Sequence, residues 1–314
     1  MNKINTRVFI GFVVVLVAVC VTSTFASGAA ETAPESTAVD QLSLLYPRAV
    51  ASIPILALIE DYADDYTGEF LTDHPQALAQ LVSGQVDVLA TGFTVGYNRY
   101  RSAGDVAHLM TPVWGVSALM TAQPIDTIAD LAGGVVYAPF EGSPIDVYIN
   151  AVLAEAGVRD AVQIAYAPFP QAAGLLAQGQ ADAAMLVEPI ASRLELSGAA
   201  YRLENMQDGW ARIAGGDARS PQVSLFVVDR SRLDAYRVLV ERLTPIVQSI
   251  AEDPGSYARR FAAVLDVPAP VLEHALANSL FEAPSPRQTA DVVATYTQIM
   301  GLELPESDFY AFER

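Results

Sequence analysis

One thirteen-residue stretch of this chain occurs twice. Pro75–Asp87 (PQALAQLVSGQVD) returns as Pro170–Asp182 (PQAAGLLAQGQAD), offset by 95 residues and identical at seven of the thirteen positions. Each copy reads as a short helix, a glycine stop and the start of a buried strand. Glycine suits the stop because the residue after a helix often takes a positive φ. Chance likeness between two alanine-rich segments is the competing explanation. The matched Pro, Gly and Asp at equal spacing argue for a true internal repeat, and so for two similar α/β lobes.

The pattern around the repeats agrees. Leu42–Tyr46, Val86–Ala90, Val135–Ala138, Val162–Ala165, Ala183–Val187 and Val223–Val228 read as strands, and Val113–Thr121 as a further apolar segment. Between them, Ser52–Tyr62, Pro75–Val82, Asp126–Leu131, Ser143–Ala156 and Gln171–Gln178 read as helices, and the chain after Ser231 reads as wholly helical. Strands separated by helices of this length imply parallel βαβ units.

The N-terminus sets an expected compartment. Lys3 and Arg7 precede a 14-residue apolar run, Val8–Val21, and then small residues to Ala30. A basic head, apolar middle and small-residue exit are the pattern of a secretory signal over 1–30. The run is short of the roughly 20 residues a spanning helix needs, which disfavours an uncleaved anchor. Cys20 is the only cysteine, so no intrachain disulfide exists. It is either one more apolar signal residue or a lipid attachment site, because Val17–Cys20 resembles a lipobox with Val19 where Gly, Ala or Ser is usual. Residues 31–39 read as a tether.

Charge narrows the function. The chain carries 36 acidic against 18 basic side chains, a net −18, which repels phosphate backbones and excludes nucleic acid as an expected partner. Lys3 is the only lysine; a GC-rich genome and adaptation to high salt both account for such a surface. His74, His108 and His274 lack ligand-like spacing, so no metal site or cofactor is expected. No nucleophile elbow or phosphate loop is present, which argues against an enzyme.

Several segments together resemble a known family. Asp126–Gly134 (DTIADLAGG) looks like the entry to its second lobe, Val187-Glu188-Pro189 follows the second repeat, and Leu233–Pro254 looks like its helical tail. In order and spacing these resemble the substrate-binding proteins of nitrate, sulfonate and taurine importers and of thiamine-pyrimidine (NMT1/THI5-like) importers, over about 42–314. The loop Tyr46–Ser52 departs from the glycine-rich opening common in the sulfonate binders. The resemblance implies the type II periplasmic binding fold: lobe one from 40–117 and 222–314, lobe two from 118–221, and a hinge of two crossings. It implies a monomeric, non-enzymatic, exported receptor that delivers a small molecule to the permease of an ABC importer. A ligand sensor, or an enzyme like the related pyrimidine synthases, are the other roles this fold serves.

In open parallel sheets ligands sit beyond the carboxyl ends of the strands, near helix N-termini. That directs attention to four strand ends. After the first strand, Tyr46 offers a stacking ring, Arg48 a clamp for an anion and Ser52 a hydroxyl; a core tyrosine and a surface arginine are the plain alternatives. Thr91, Gly92 and Phe93 follow the first repeat, with Phe93 either cleft wall or core. Gly142 and Ser143 precede the long helix of lobe two, where Ser143 caps, binds, or does both. Glu188 ends the matching strand and suits an amine or a pyrimidine amino group; a hinge salt bridge is its alternative. Trp114 lies near the first crossing, and Trp210 reads as a packing residue. Glu188 and the aromatic residues favour a thiamine-precursor pyrimidine, and Arg48 with the helix ends a sulfonate- or nitrate-like anion, in that order.

Overall fold

A computed structural model describes residues 41–215 and 218–312 of the chain. The expected signal, the tether and Cys20 lie outside the described residues. The elements run β1 (Leu42–Tyr46), α1 (Ile53–Asp61), β2 (Tyr66–Phe70), α2 (His74–Val82), β3 (Val88–Gly92), α3 (Phe93–Ala103), β4 (Ala107–Gly115) and β5 (Ser117–Thr121). They continue with β6 (Val135–Ala138), α4 (Pro144–Glu155), β7 (Gln163–Tyr166), α5 (Phe169–Ala177), β8 (Ala183–Val187), α6 (Ile190–Leu196), β9 (Tyr201–Asn205) and α7 (Met206–Ala214). The last stretch is β10 (Val223–Val227), α8 (Leu233–Glu252), α9 (Pro254–Leu265), α10 (Ala269–Ala277), β11 (Leu280–Phe281) and α11 (Pro286–Ile299).

The strands form two sheets, β11-β4-β10-β3-β1-β2 and β7-β6-β8-β5-β9. In each, three parallel strands (β2, β1, β3 and β7, β6, β8) are followed by an antiparallel strand, β10 in one and β5 in the other. Each sheet with its helices is here called a lobe. The apolar run 113–121 is two strands rather than one: β4 ends in the first sheet, Val116 crosses, and β5 enters the second. The chain returns ahead of β10. Both halves of that run are fully buried, so apolar content alone gives no sign of the break.

The repeat is a shared local structure. α2 and α5 each carry proline in their first turn and end alike. Gly84 (φ 71°) and Gly179 (φ 67°) are left-handed, Gly84 N and Gly179 N donate to Leu81 O and Leu176 O, and Gln85 N and Gln180 N reach back to Gln80 O and Leu175 O. This paired 6→1 and 5→2 closure satisfies the last carbonyls of each helix. The aspartate that follows ties the unit to the strand beside it in the sheet. Asp87 accepts from Ser43 N and Oγ (2.8 and 2.7 Å) at β1, and Asp182 from Val135 N (2.8 Å) at β6.

Several elements lack a local signature. β2 is a half-exposed edge, and neither it nor α3 is among the elements expected from the sequence. Gly96 within α3 would break a solvent-facing helix, but here it lets the helix lie on Phe226, whose ring a Cβ would meet at 2.2 Å. The two-residue β11 interrupts the expected all-helical tail. Across the lobes, Trp210 of α7 packs on Tyr296 of α11 (centroids 5.3 Å apart), and α10 packs on α6.

Candidate functional site

The carboxyl ends of β1, β3, β6, β7 and β8 open on one cleft between the lobes, with about 300 Å³ of space. Lobe one contributes Pro47, Ala49, Ala51, His74, Gly92, Thr94 and Val95. Lobe two contributes Pro139, Phe140, Ser143, Pro144, Ile145, Phe169, Val187 and Glu188. The two crossings make the floor, through Val116, Ser117, Gln222 and Val223.

Gln222 holds the crossings together. Its Oε1 accepts from Val116 N (3.2 Å) and Ser117 Oγ (3.3 Å), its backbone N–H donates to Val113 O, and its carbonyl accepts from Phe93 N at the start of α3 (3.1 Å). One residue thus joins the outgoing strand, the return strand and a helix of lobe one. A lone glutamine ahead of a strand carries no such message in the sequence.

Of the residues expected at the site, Gly92, Ser143 and Glu188 line the cleft. The others stand elsewhere. Tyr46 is buried edge-on to Phe70 (5.2 Å). Arg48 turns away from the cleft: its guanidinium lies 3.9 Å from the Phe70 ring centroid and donates to Val264 O at 2.7 Å. A stacked, hydrogen-bonded guanidinium of this kind is a structural clamp between β2 and α9. Ser52 is buried and donates to Pro47 O, closing its own loop. Phe93 is core, among Tyr97, His108, Tyr296 and Phe309. Trp114 is buried and donates to Glu282 O. Thr91 is buried behind the cleft and bonds His74 Nδ1 at 2.8 Å, orienting that ring. Gly142 sits at φ 74°, and its N–H donates to Asp146 Oδ2 at 2.8 Å. Trp210, read as packing, is buried.

The charges of the site are largely spent inside the protein. Glu188 is buried; Oε1 takes Arg202 Nη2 at 2.7 Å and Oε2 takes Ser192 N in the first turn of α6 at 3.1 Å. Arg202 also pairs with Glu195 (2.8 Å), which meets His274 of lobe one at 3.0 Å. Burial pushes Glu195 up, yet its bonds to Arg202 and His274 hold it below the usual carboxylate value. At α4, Ser143 Oγ caps Asp146 N, and the Asp146 carboxylate takes Gly142 N, Asn150 Nδ2 and the Tyr166 hydroxyl. Loss of water around His74 holds that ring below its ordinary pKa, against the raising effect of Asp73. Among the described residues, no group of three or more His, Cys, Asp or Glu side chains is placed to hold a metal ion.

Solved structures share this architecture. The aliphatic sulphonate-binding protein SsuA of Escherichia coli is 18% identical, with 83% of this chain and 85% of that one covered at a TM-score of 0.66. The alkanesulfonate-binding protein SsuA of Xanthomonas axonopodis pv. citri, bound to MOPS, is 21% identical over 85% and 94%, with a TM-score of 0.63. The chain has the periplasmic-binding fold. Another example of that fold, the nitrate-binding protein NrtA of Synechocystis PCC 6803, is 13% identical over 78% and 74%, at 0.60. No protein-family model matches the sequence, and no curated protein matches it. The type II architecture that the resemblance implied is therefore present, while the identities carry the fold alone.

Proposed function

We propose that this chain is an exported, non-enzymatic solute receptor, which closes its lobes on a small molecule and hands it to the permease of an ABC importer. The observation that carries this reading is the cleft beyond the strand ends, walled by both lobes and floored by both crossings. A ligand there touches both lobes only when they are closed, so binding favours the closed state. A space of about 300 Å³ is at the small end of the range for small-molecule sites. On this reading 40–117 and 222–314 move as one lobe and 118–221 as the other, the protein acts as a monomer, and 1–30 direct export, with Cys20 as a lipid anchor or the signal cut near Ala30. Among the described residues no helix is long and apolar enough to cross a membrane.

The test is a thermal-shift screen against aminopyrimidines, alkanesulfonates, nitrate and uncharged aromatic compounds, followed by X-ray scattering with each hit. A ligand at ~100 times its dissociation constant adds about 2.7 kcal/mol to native stability. The expected result is a hit that shrinks the radius of gyration and is lost in Thr94→Trp, which fills the cleft. A hit that leaves the radius unchanged, or that survives Thr94→Trp, would sink the receptor reading.

A further inference from the structure

We infer that the ligand of this cleft is an uncharged, largely apolar small molecule, held by aromatic and aliphatic contact and by neutral hydrogen-bonding groups. The inference rests on the receptor reading and narrows it. It departs from the sulfonate and nitrate named for similar structures.

An anion is held best by a cation, helped by the unpaired N–H groups at a helix start. Among the described residues no arginine or lysine lines the cleft, and Arg48 is committed to Val264 O and Phe70. In lobe two, protein carboxylates hold backbone N–H groups just ahead of α4 and in the first turn of α6, and in lobe one the start of α3, at Thr94 and Val95, has no cation beside it on the cleft among the described residues. Asp146 sits in the first turn of α4 and holds Gly142 N; Glu188 holds Ser192 N in the first turn of α6. The α5 start is Pro168-Phe169-Pro170, in which two of three residues have no N–H, and Gln171 N and Ala172 N both bond Pro168 O. An anion entering here meets Asp146 behind Ser143, in a chain of net charge −18.

A cation fares no better. Both oxygens of Glu188 are engaged, one by Arg202, and the buried Asp146 carboxylate is engaged by Gly142 N, Asn150 Nδ2 and the Tyr166 hydroxyl. What remains for a ligand is Phe140, Phe169, Ile145 and Val95 on the walls, with the Thr94, Ser117 and Ser143 hydroxyls and the His74 ring. Phe140, 62% exposed at the mouth, is the most exposed large apolar side chain described, and it stands where a closing cleft would cover it.

Two dyes with one skeleton test this. N-phenyl-1-naphthylamine is uncharged; 8-anilino-1-naphthalenesulfonate is the same ring system with a sulfonate. Titration by fluorescence should give saturable binding of the neutral dye, lost in Thr94→Trp and at least about tenfold tighter than the sulfonate, because a charge loses its water without a partner. Asp146→Asn, checked for native circular dichroism, should improve the sulfonate and leave the neutral dye unchanged. Equal or tighter cleft binding of the sulfonate, or of the cation 1-naphthylmethylammonium, would overturn the ligand class and leave the receptor reading standing. If no dye gives a signal that Thr94→Trp removes, the inference falls, while a ligand from the thermal-shift screen that closes the lobes would keep the receptor reading.

Discussion

Glu188 and Arg202 form an ion pair whose side chains are 1% and 9% exposed. Water does little to screen charges so placed, and the loss of one partner strands the other. Arg202→Met should therefore lower unfolding free energy in urea by about 3 kcal/mol, by leaving the Glu188 carboxylate unmatched. Glu188→Gln should cost less, because Arg202 keeps Glu195. If the two variants match in stability, the charge of Glu188 is not balanced by Arg202. A second buried residue makes a pH prediction. His108 bonds Thr111 Oγ1 (2.8 Å), which bonds Ser224 Oγ (2.6 Å), inside a cage of Phe93, Phe226, Phe309 and Tyr310 rings. Burial pushes this histidine down to about 3. Between that value and the ordinary histidine pKa, the unfolded chain takes up a proton that the folded chain refuses. Stability is thus whole above about pH 6.5 and falls by about 1.4 kcal/mol per unit on acidification through that window. Urea titrations at pH 7, 6, 5 and 4 should show a shallower acid slope in His108→Asn than in the native chain.

At the level of elements, the repeated helix–Gly–Asp–strand unit is the building block of both lobes. Its glycines are needed for backbone reasons alone: a Cβ at Gly84 or Gly179 meets nothing within 4 Å, yet both have φ near +70°. Gly84→Ala and Gly179→Ala should each cost about 1 kcal/mol, from forcing an L-residue into the left-handed region. The two sites lie in different lobes, so the double variant should cost the sum. A much smaller cost at one site would mean that its helix can end in another way. This unit was legible in the sequence because everything it needs is local: a proline in the first turn, a stop glycine, and an aspartate for the neighbouring strand. α3 was not legible, because its Gly96 makes sense only with Phe226 against it.

At the scale of the molecule, one buried cluster contains side chains of both lobes, among them Leu45 and Leu89 on one side, Leu119, Met185 and Trp210 on the other, and Tyr296 of α11. A shared core couples their unfolding. Calorimetry should record a single transition with matching calorimetric and van't Hoff enthalpies, whereas two resolved transitions would mean the lobes unfold independently. Trp210→Ala, at 1% exposure, should cost about 3–5 kcal/mol. Loss of the half-exposed His274–Glu195 contact through His274→Ala should cost under about 1 kcal/mol. The lobes are held together by packing more than by charge.

The sequence by itself determined the α/β class and the two-lobed repeat, since strand, helix and stop signals act over a few residues. It named four of the five strand ends that open on the cleft and, among the residues there, Gly92, Ser143 and Glu188. The tertiary structure decided which way the rest point. Arg48 answers to a carbonyl 216 residues away, and Trp114 to one 168 residues away. It also decided the charge of the cleft, because Asp146 and Glu188 spend themselves on helix starts and on Arg202. Partners so distant in the chain leave no local pattern, and a side chain's direction at a strand end is set by whichever partner the fold brings to it.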